Sequence, residues 1–314
     1  MQKMKAIIYQ KRGAEKLVYT DVEKPVPKEN EVLIKVVASS VNAADYRSMR
    51  LGIVPKRKIF GADVAGRVEL VGRSVSLWKE GDEVMGDLSG SGFGCFAEYT
   101  VAPEDKVIQK PVELSFAEAA AVPLAAITAI QALRGKGKIQ KGQKVLIVGS
   151  GGGVGTFTVQ LARYFGAEIT AVCSTRNAEQ SRMLGAQTVI DYTQENFTRT
   201  RQRFDLILAV NGNEALLTYR RLLAPGGTYL MVGGSMTQIL KSLLFGKLLS
   251  LGRKKMLAVS AKANMADLEF IAALAAKGQI KPVIDRTYTL EQMPEAMEYA
   301  NTGHAQGKLL IKVE

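Results

Sequence analysis

Two cysteines and a single histidine are all that 314 residues offer toward thiol or imidazole chemistry. Two cysteines exclude a disulfide framework and any four-cysteine zinc lobe. No basic, apolar and small-residue signal segment opens the chain, because Met1 to Lys5 runs directly into a short strand pattern. The longest charge-free run, Leu222 to Leu240, has spanning length but contains Pro225, four glycines and Gln238. It predicts a strand with its turns rather than a membrane helix. These absences lead us to expect a soluble, cytoplasmic protein. Acid is scarce too: 30 Asp and Glu stand against 42 Lys and Arg, a net charge of +12. Such a balance attracts nucleic acid, anionic membrane or a phosphorylated ligand. No finger, RNP-like run or aromatic–basic interleaving occurs, so nucleic acid is not an expected partner.

What is present is a globular composition, 47% hydrophobic and 23% charged, long enough for two domains. The first 120 residues alternate short apolar runs with glycine punctuation, as in Glu31 to Val37, Val64 to Val71 and Phe96 to Val101. That texture predicts a mostly antiparallel β region. Phe116 to Leu133 is an alanine-rich helical stretch interrupted by Pro123. Strand and helix patterns then alternate: Lys144–Val148, Thr156–Phe165, Glu168–Cys173, Ala178–Leu184, Thr188–Ile190, Phe204–Val210, Glu214–Leu223 and Thr228–Val232. Alternation at this spacing predicts a parallel sheet with crossover helices. Near Lys281-Pro282 the texture returns to β and ends in Gly307 to Val313. A discontinuous first domain, 1–121 with 275–314, and an inserted second domain, 122–274, are therefore expected.

The sharpest local signal is Val145-Leu-Ile-Val-Gly-Ser-Gly-Gly-Gly-Val-Gly155, followed by an amphipathic helix. A buried strand, a tight glycine turn and a helix N-terminus together form a dinucleotide pyrophosphate site. The strict G-x-G-x-x-G frame falls on Ser150, Gly152 and Gly155, and serine is small enough to keep the turn. About twenty residues on, an NAD site offers an acid to the adenosine ribose. Here the run is Ala171-Val-Cys-Ser-Thr-Arg-Asn177, without an acid. Ser174 can donate to a 2′-phosphate and Arg176 can pair with it, so NADPH is the expected cofactor. A surface helix cap is the alternative role for Arg176.

These residues, with several further segments, resemble the medium-chain dehydrogenase/reductase superfamily and its zinc-independent quinone oxidoreductase (zeta-crystallin-like) group. The matching segments are Ser39-Ser-Val-Asn-Ala-Ala-Asp45, Gly61-Ala-Asp-Val-Ala-Gly66, Gly81-Asp-Glu-Val-Met-Gly86, Phe96-Ala-Glu-Tyr99 and Ala119-Ala-Ala-Val-Pro-Leu124. The glycine loop, Cys173 to Asn177, Val189-Ile-Asp-Tyr192 and Gly303-His-Ala-Gln-Gly-Lys308 complete the set, in family order over nearly the whole chain. The resemblance implies a GroES-like β-rich catalytic domain, a Rossmann doubly wound domain, a cleft between them and a homodimer. It implies that Asn42 and Thr128 serve the nicotinamide end, and that Gly151, Gly152, Gly153 and Val154 form the pyrophosphate turn. Ser174 and Arg176 match its 2′-phosphate pocket and Tyr192 its tyrosine near the adenosine phosphate, unless Tyr192 is a half-buried core aromatic. The resemblance also implies that Asn211, Val232 and Gly233, after sheet strands, lie along the cofactor and that the stretch ending in Ala261 passes the nicotinamide. His304, Ala305 and Gln306 match the tail that closes over it, although His304 also suits a surface turn.

Zinc-dependent relatives carry a cysteine where Asn42 stands, a histidine at Ala62 and a cysteine near Leu124, so no metal is expected. Without a Lewis acid the expected reaction is hydride transfer from NADPH to a quinone, or to the activated C=C of an α,β-unsaturated carbonyl. Tyr46 is the candidate proton donor, with packing beneath the cleft as its alternative role. Val54 in Gly52-Ile-Val-Pro55 replaces the tyrosine of some enoyl-thioester reductases and lowers that reading. A non-catalytic NADPH-binding redox sensor or assembly partner is the rival function.

One further segment stands apart. No acidic residue occurs from Ala215 to Ala266, while Lys241, Lys247, Arg253, Lys254 and Lys255 punctuate the leucine-rich run Met236 to Met256. Leu240, Leu244, Leu248 and Leu251 share a helical face. That pattern fits a helix lying on a membrane surface, or leucines packed on the sheet or on a dimer partner.

Overall fold

The computed structural model describes residues 2–10, 16–250 and 252–314, with Met236, Leu243 and Lys247 described in backbone only. The chain divides into two compact units, Met1–Ile127 with Lys262–Glu314, and Thr128–Ala261. The sequence texture places the boundaries after 121 and after 274, whereas the division falls after Ile127 and after Ala261.

In the first unit β1 (Lys3–Tyr9) and β2 (Leu17–Glu23) form an antiparallel pair. There follow β3 (Glu31–Val41), α1 (Ala43–Arg50), β4 (Asp63–Val71), β5 (Glu83–Asp87), β6 (Tyr99–Pro103), β7 (Val107–Gln109), α2 (Phe116–Ala121) and α3 (Pro123–Ile130). The glutamate of the box Ser115-x-x-Glu118 closes the start of α2: Ser115 N donates to Glu118 Oε2 at 2.9 Å, and Glu118 N donates back to Ser115 Oγ at 3.2 Å. Pro123 then opens α3, where a missing N–H costs nothing. Helix α3 runs into a π-helical turn, Gln131–Lys136.

The second unit alternates strand and helix, except that only a 3-10 turn (Phe197–Arg199) stands between its third and fourth strands: β8 (Lys144–Val148), α4 (Gly153–Tyr164), β9 (Glu168–Cys173), α5 (Thr175–Leu184), β10 (Thr188–Asp191), β11 (Phe204–Ala209), α6 (Leu216–Leu222), β12 (Leu223–Met231), α7 (Met236–Leu249) and β13 (Lys255–Ala258). Its strands form one parallel sheet in the order β10-β9-β8-β11-β12-β13. Val145, Leu146, Ile147 and Val148 are all buried, as a strand covered on both faces requires. Packed on the sheet, Tyr219 and Tyr229 stack with ring centroids 4.8 Å apart. The chain then returns to the first unit with α8 (Met265–Ala276), β14 (Ile284–Thr289), α9 (Met293–Asn301) and β15 (Lys308–Lys312). Strand β15 inserts beside β3 in the order β14-β15-β3-β4-β5-β7, and β6 also pairs with β3. Among the described residues no helix is long and apolar enough to cross a membrane.

Candidate functional site

In the parallel sheet the chain winds outward from β8 through β9 to β10, then returns to β11 on the other side of β8. Ligands of such sheets bind beyond the strand carboxyl ends at this reversal. The glycine run occupies that point. Gly149 has φ of 88°, and a Cβ there would lie 2.9 Å from the Asn211 backbone nitrogen. A Cβ on Gly155 would lie 2.1 Å from the Gly149 carbonyl oxygen, so this glycine lets α4 close on the turn. Gly151 faces the Asn177 amide, which a Cβ would meet at 2.4 Å. Gly152 differs: a Cβ there meets nothing within 4 Å. It is the N-cap of α4, makes no side-chain cap, and Gly153 and Val154 follow without an acid in the first turn. Open space thus fronts free N–H groups and a helix dipole, a cradle that fits a pyrophosphate.

The start of α5 lies beside this turn. Ser150 Oγ and Ser181 Oγ are 2.8 Å apart, and Gln180 Nε2 reaches the Gly151 carbonyl at 3.5 Å. Ser174 is the N-cap of α5, makes no side-chain cap, and accepts from Asn177 Nδ2 at 3.4 Å. Arg176 is exposed in the first turn, which holds no acid. The Asp191 carboxylate is engaged elsewhere, accepting from Thr175 Oγ1 and Thr193 Oγ1 at 2.5 and 2.7 Å. Tyr192 is 58% exposed, so it is not a core aromatic, and its N–H donates to the Cys173 carbonyl at 3.0 Å. Asn211 N donates to the Val148 carbonyl at 3.1 Å; Val232 and Gly233 donate to Ala209. The structure therefore gathers the glycine turn, Ser174, Arg176, Tyr192, Asn211, Val232 and Gly233 at one end of this sheet. Ala261 lies exposed beyond β13, and Thr128 is buried on α3.

In the first unit the residues around Asn42 form a buried polar network. Asn42 N donates to Asp45 Oδ2 at 2.8 Å, closing the start of α1. Both amide N–H groups of Asn42 point inward, to the Ser40 carbonyl at 3.3 Å and Asp63 Oδ2 at 2.8 Å. Its Oδ1 accepts from Lys308 Nζ at 2.6 Å. Asp63 Oδ2 also accepts from Ser40 Oγ at 2.6 Å and Lys308 Nζ at 3.2 Å, while Asp63 Oδ1 accepts from Leu124 N at 2.9 Å. Burial pushes Asp45 up to about 7, against the N–H groups of Asn42 and Gly61. Burial, then the charge of Asp63, pushes Asp87 up to about 6. Burial likewise pushes the Cys95 thiol up. One ammonium thus faces a carboxylate inside an apolar unit. These residues do not fit zinc: an amide, the Ala62 methyl and the Leu124 side chain offer no ligand where zinc-dependent relatives bind it. Among the described residues no three His, Cys, Asp or Glu side chains are grouped for a metal.

Tyr46 packs from α1 against the core around Met293 and Met297, with the Arg50 guanidinium 5.8 Å from its ring centroid. It lines a cavity of about 590 Å³ within the first unit, with Tyr9, Leu17, Met49 and Asn301. His304 is exposed in the loop after α9; Ala305 is half-buried and Gln306 N donates to Asp285 Oδ2 at 2.8 Å. Sequence reasoning passed over Asp63 and Lys308 although both lie in matched segments. A lysine entering an apolar strand gives no signal of being buried when its partner is 245 positions away.

Residues 28–112 match the alcohol dehydrogenase GroES-like domain family, and residues 184–311 the zinc-binding dehydrogenase family. The 2-methylene-furan-3-one reductase of Solanum lycopersicum is 36% identical over 98% of this chain and 79% of its own length. An NADPH-dependent alkenal/one oxidoreductase of Arabidopsis thaliana chloroplasts is 30% identical over 99% of this chain and 80% of its own. The solved quinone oxidoreductase of Coxiella burnetii superposes with a TM-score of 0.90 over the full length of both chains, at 29% identity.

Proposed function

Because the chain belongs to the medium-chain dehydrogenase/reductase superfamily, in its zinc-independent quinone oxidoreductase group, we propose that it is an NADPH-dependent reductase of quinones or of the activated C=C of enones and enals. The observation that carries the cofactor choice is the start of α5. Ser174 and Arg176 stand beside the glycine turn and no acid shares that helical turn. A hydroxyl and a guanidinium bind an adenosine 2′-phosphate, which a carboxylate repels. The N–H groups of Gly151 to Val154 take the pyrophosphate, and Tyr192 flanks the adenosine side. Asn211, Val232, Gly233 and Ala261 offer backbone along the remainder. Asn42, Thr128, His304, Ala305 and Gln306 serve the nicotinamide end.

When bound, the nicotinamide supplies a hydride. The residues of this chain orient and shield rather than activate. Lys308 and Asp63 hold the Asn42 amide in one orientation, with Oδ1 committed to an ammonium and Nδ2 to a carboxylate. Without thiolate or imidazole ligands at the zinc positions, the chemistry suits an acceptor that is already polarised. The names of the relatives, reductases of a furanone, of alkenals and enones and of quinones, support that acceptor class. Tyr46 is our candidate for delivering the proton that follows hydride transfer.

Steady-state NADPH and NADH oxidation with a panel of quinones, enones and enals tests the proposal. Turnover with NADPH well above that with NADH is expected. Tight NADPH binding without turnover on any acceptor refutes it.

A further inference from the structure

Helix α7 packs Ile239 and Leu249 against the core of the second unit and leaves a second aliphatic stripe outside. Among the described side chains its fully buried positions are Gln238, Ser242 and Gly246, spaced by four residues. Its exposed positions are Leu240, Leu244 and Leu248, at 53, 71 and 62%, with Phe245 at 50%. A helix of a water-soluble unit turns its aliphatic stripe toward the core. Here only part of the aliphatic surface does so, and polar and backbone contacts hold the helix in that orientation. Gly246 lets the helix approach β13, where a Cβ would lie 2.9 Å from the Met256 carbonyl oxygen. Ser250 Oγ donates to the Gly246 carbonyl at 2.8 Å and accepts from Met256 N at 2.9 Å. At the same end Arg220 Nε donates to the Leu249 carbonyl at 2.9 Å, and at the other end Gln238 Nε2 donates to the Glu214 carbonyl at 2.9 Å. Rolling the helix to bury its leucines breaks these bonds. The packing of Leu240, Leu244 and Leu248 on the sheet, one of the three sequence readings, is therefore not what the structure holds. Leu251 and the Lys247 side chain lie outside the described residues.

The charges that accompany this stripe in the chain are basic. Lys241, Arg253 and Lys255 are exposed, and no acidic residue occurs from Ala215 to Ala266. We propose that this face of the second unit docks on an anionic lipid bilayer surface. Leucines and a phenylalanine enter the acyl boundary while the lysines and arginine meet phosphate and carboxylate headgroups. Where the acid-free segment 215–266 of a second copy met this face, it would bring only like charge to it. A nucleic acid satisfies the cations but leaves the aliphatic stripe in water. The proposal does not depend on the cofactor or acceptor assignment, and its readout is partition rather than turnover.

Sedimentation of the full chain with phosphatidylcholine vesicles, with and without phosphatidylserine, tests it. Binding is expected only with phosphatidylserine at low salt, and release as salt rises. Leu244→Gln with Leu248→Gln removes binding while leaving the circular-dichroism melt unchanged, since both positions are exposed. Lys241→Gln, which keeps the leucines, lowers the partition coefficient on the order of fivefold, the equivalent of about 1 kcal/mol. Wild-type protein remaining in the supernatant with phosphatidylserine at low salt overturns the proposal. So does a leucine double variant that still sediments with vesicles. A wild-type dimer that this variant converts to monomer, seen by light scattering without vesicle binding, assigns the face to a second copy instead.

Discussion

Lys308 Nζ lies 3.2 Å from Asp63 Oδ2, and neither side chain exposes more than 2% of its surface. The pair joins the strand that enters the sheet last to a strand near its centre. Removing water from both ions is costly, and the pair persists because each charge also finds neutral partners: Ser40 Oγ and Leu124 N for the carboxylate, Asn42 Oδ1 for the ammonium.

Breaking the pair from one side leaves a buried charge. Lys308→Met is expected to lower unfolding free energy by about 3–5 kcal/mol. Adding Asp63→Asn to Lys308→Met should recover a large part of that loss. Urea denaturation of the three variants checks this, and equal loss in single and double variants would contradict it.

Asp45 links stability to pH. Burial raises its carboxyl from 3.8 to about 7, so the folded chain keeps a proton that the unfolded chain releases. Its contribution is complete below pH 3.8 and is lost as pH rises through about 7. Asp45→Asn removes this titration. Its unfolding free energy should fall less steeply with pH than that of the wild type, by up to about 1.4 kcal/mol per pH unit. Denaturant titrations across the window compare the slopes; parallel slopes would mean that Asp45 binds no proton there.

Two glycines of one turn should respond differently to the same methyl. At Gly155 an added Cβ meets the Gly149 carbonyl at 2.1 Å, and Gly155→Ala should destabilise by about 1–3 kcal/mol. At Gly152 it meets nothing, and φ of −85° suits alanine. Gly152→Ala should melt within about 0.5 kcal/mol of the wild type, yet bind NADPH more weakly, because the methyl fills the cradle. Calorimetry separates the two effects, and unchanged NADPH affinity in Gly152→Ala would place the pyrophosphate elsewhere.

Removing the Arg176 guanidinium should weaken NADPH binding by about 1.5–3 kcal/mol and leave NADH affinity nearly unchanged. Fluorescence titration with both cofactors measures it. Equal affinity of the wild type for NADPH and NADH would remove the basis for the prediction.

Activity should survive chelators, with no stoichiometric zinc by elemental analysis, given Asn42, Ala62 and Leu124 at the positions of the ligands. One zinc per chain, with activity lost on its removal, would reverse the mechanism.

The buried parallel strands were the most legible part of the sequence. Lys144–Val148 and Glu168–Cys173 were predicted to the residue, because a strand covered on both faces is an uninterrupted apolar run bounded by turn residues. The break at Pro123 was legible for an equally local reason. Helix α1 was not, since Asp45-Tyr-Arg-Ser-Met-Arg50 is short and polar and depends on the Asn42 and Asp45 contact. Helix α9 was hidden inside a tail that reads as β. The leucine spacing of α7 identified a face but not its direction. That is set by the approach of Gly246 to Met256, a contact between elements that periodicity does not encode. The Asn42, Asp63 and Lys308 network failed to show for a related reason: sequence motifs mark each residue, and only the pairing of β15 with β3 brings them together.

Strand β15 lies between β14 and β3, inside the sheet of the first unit, although it is translated after the whole second unit. On the ribosome Asp63 therefore emerges 245 residues ahead of its counter-ion, roughly 12–50 s at ordinary elongation rates. Within that interval the contiguous second unit is synthesised whole, while the first keeps an open edge at β3 and an unmatched carboxylate. The first unit is thus closed last, when β15 pairs with β3 and brings Lys308 to Asp63.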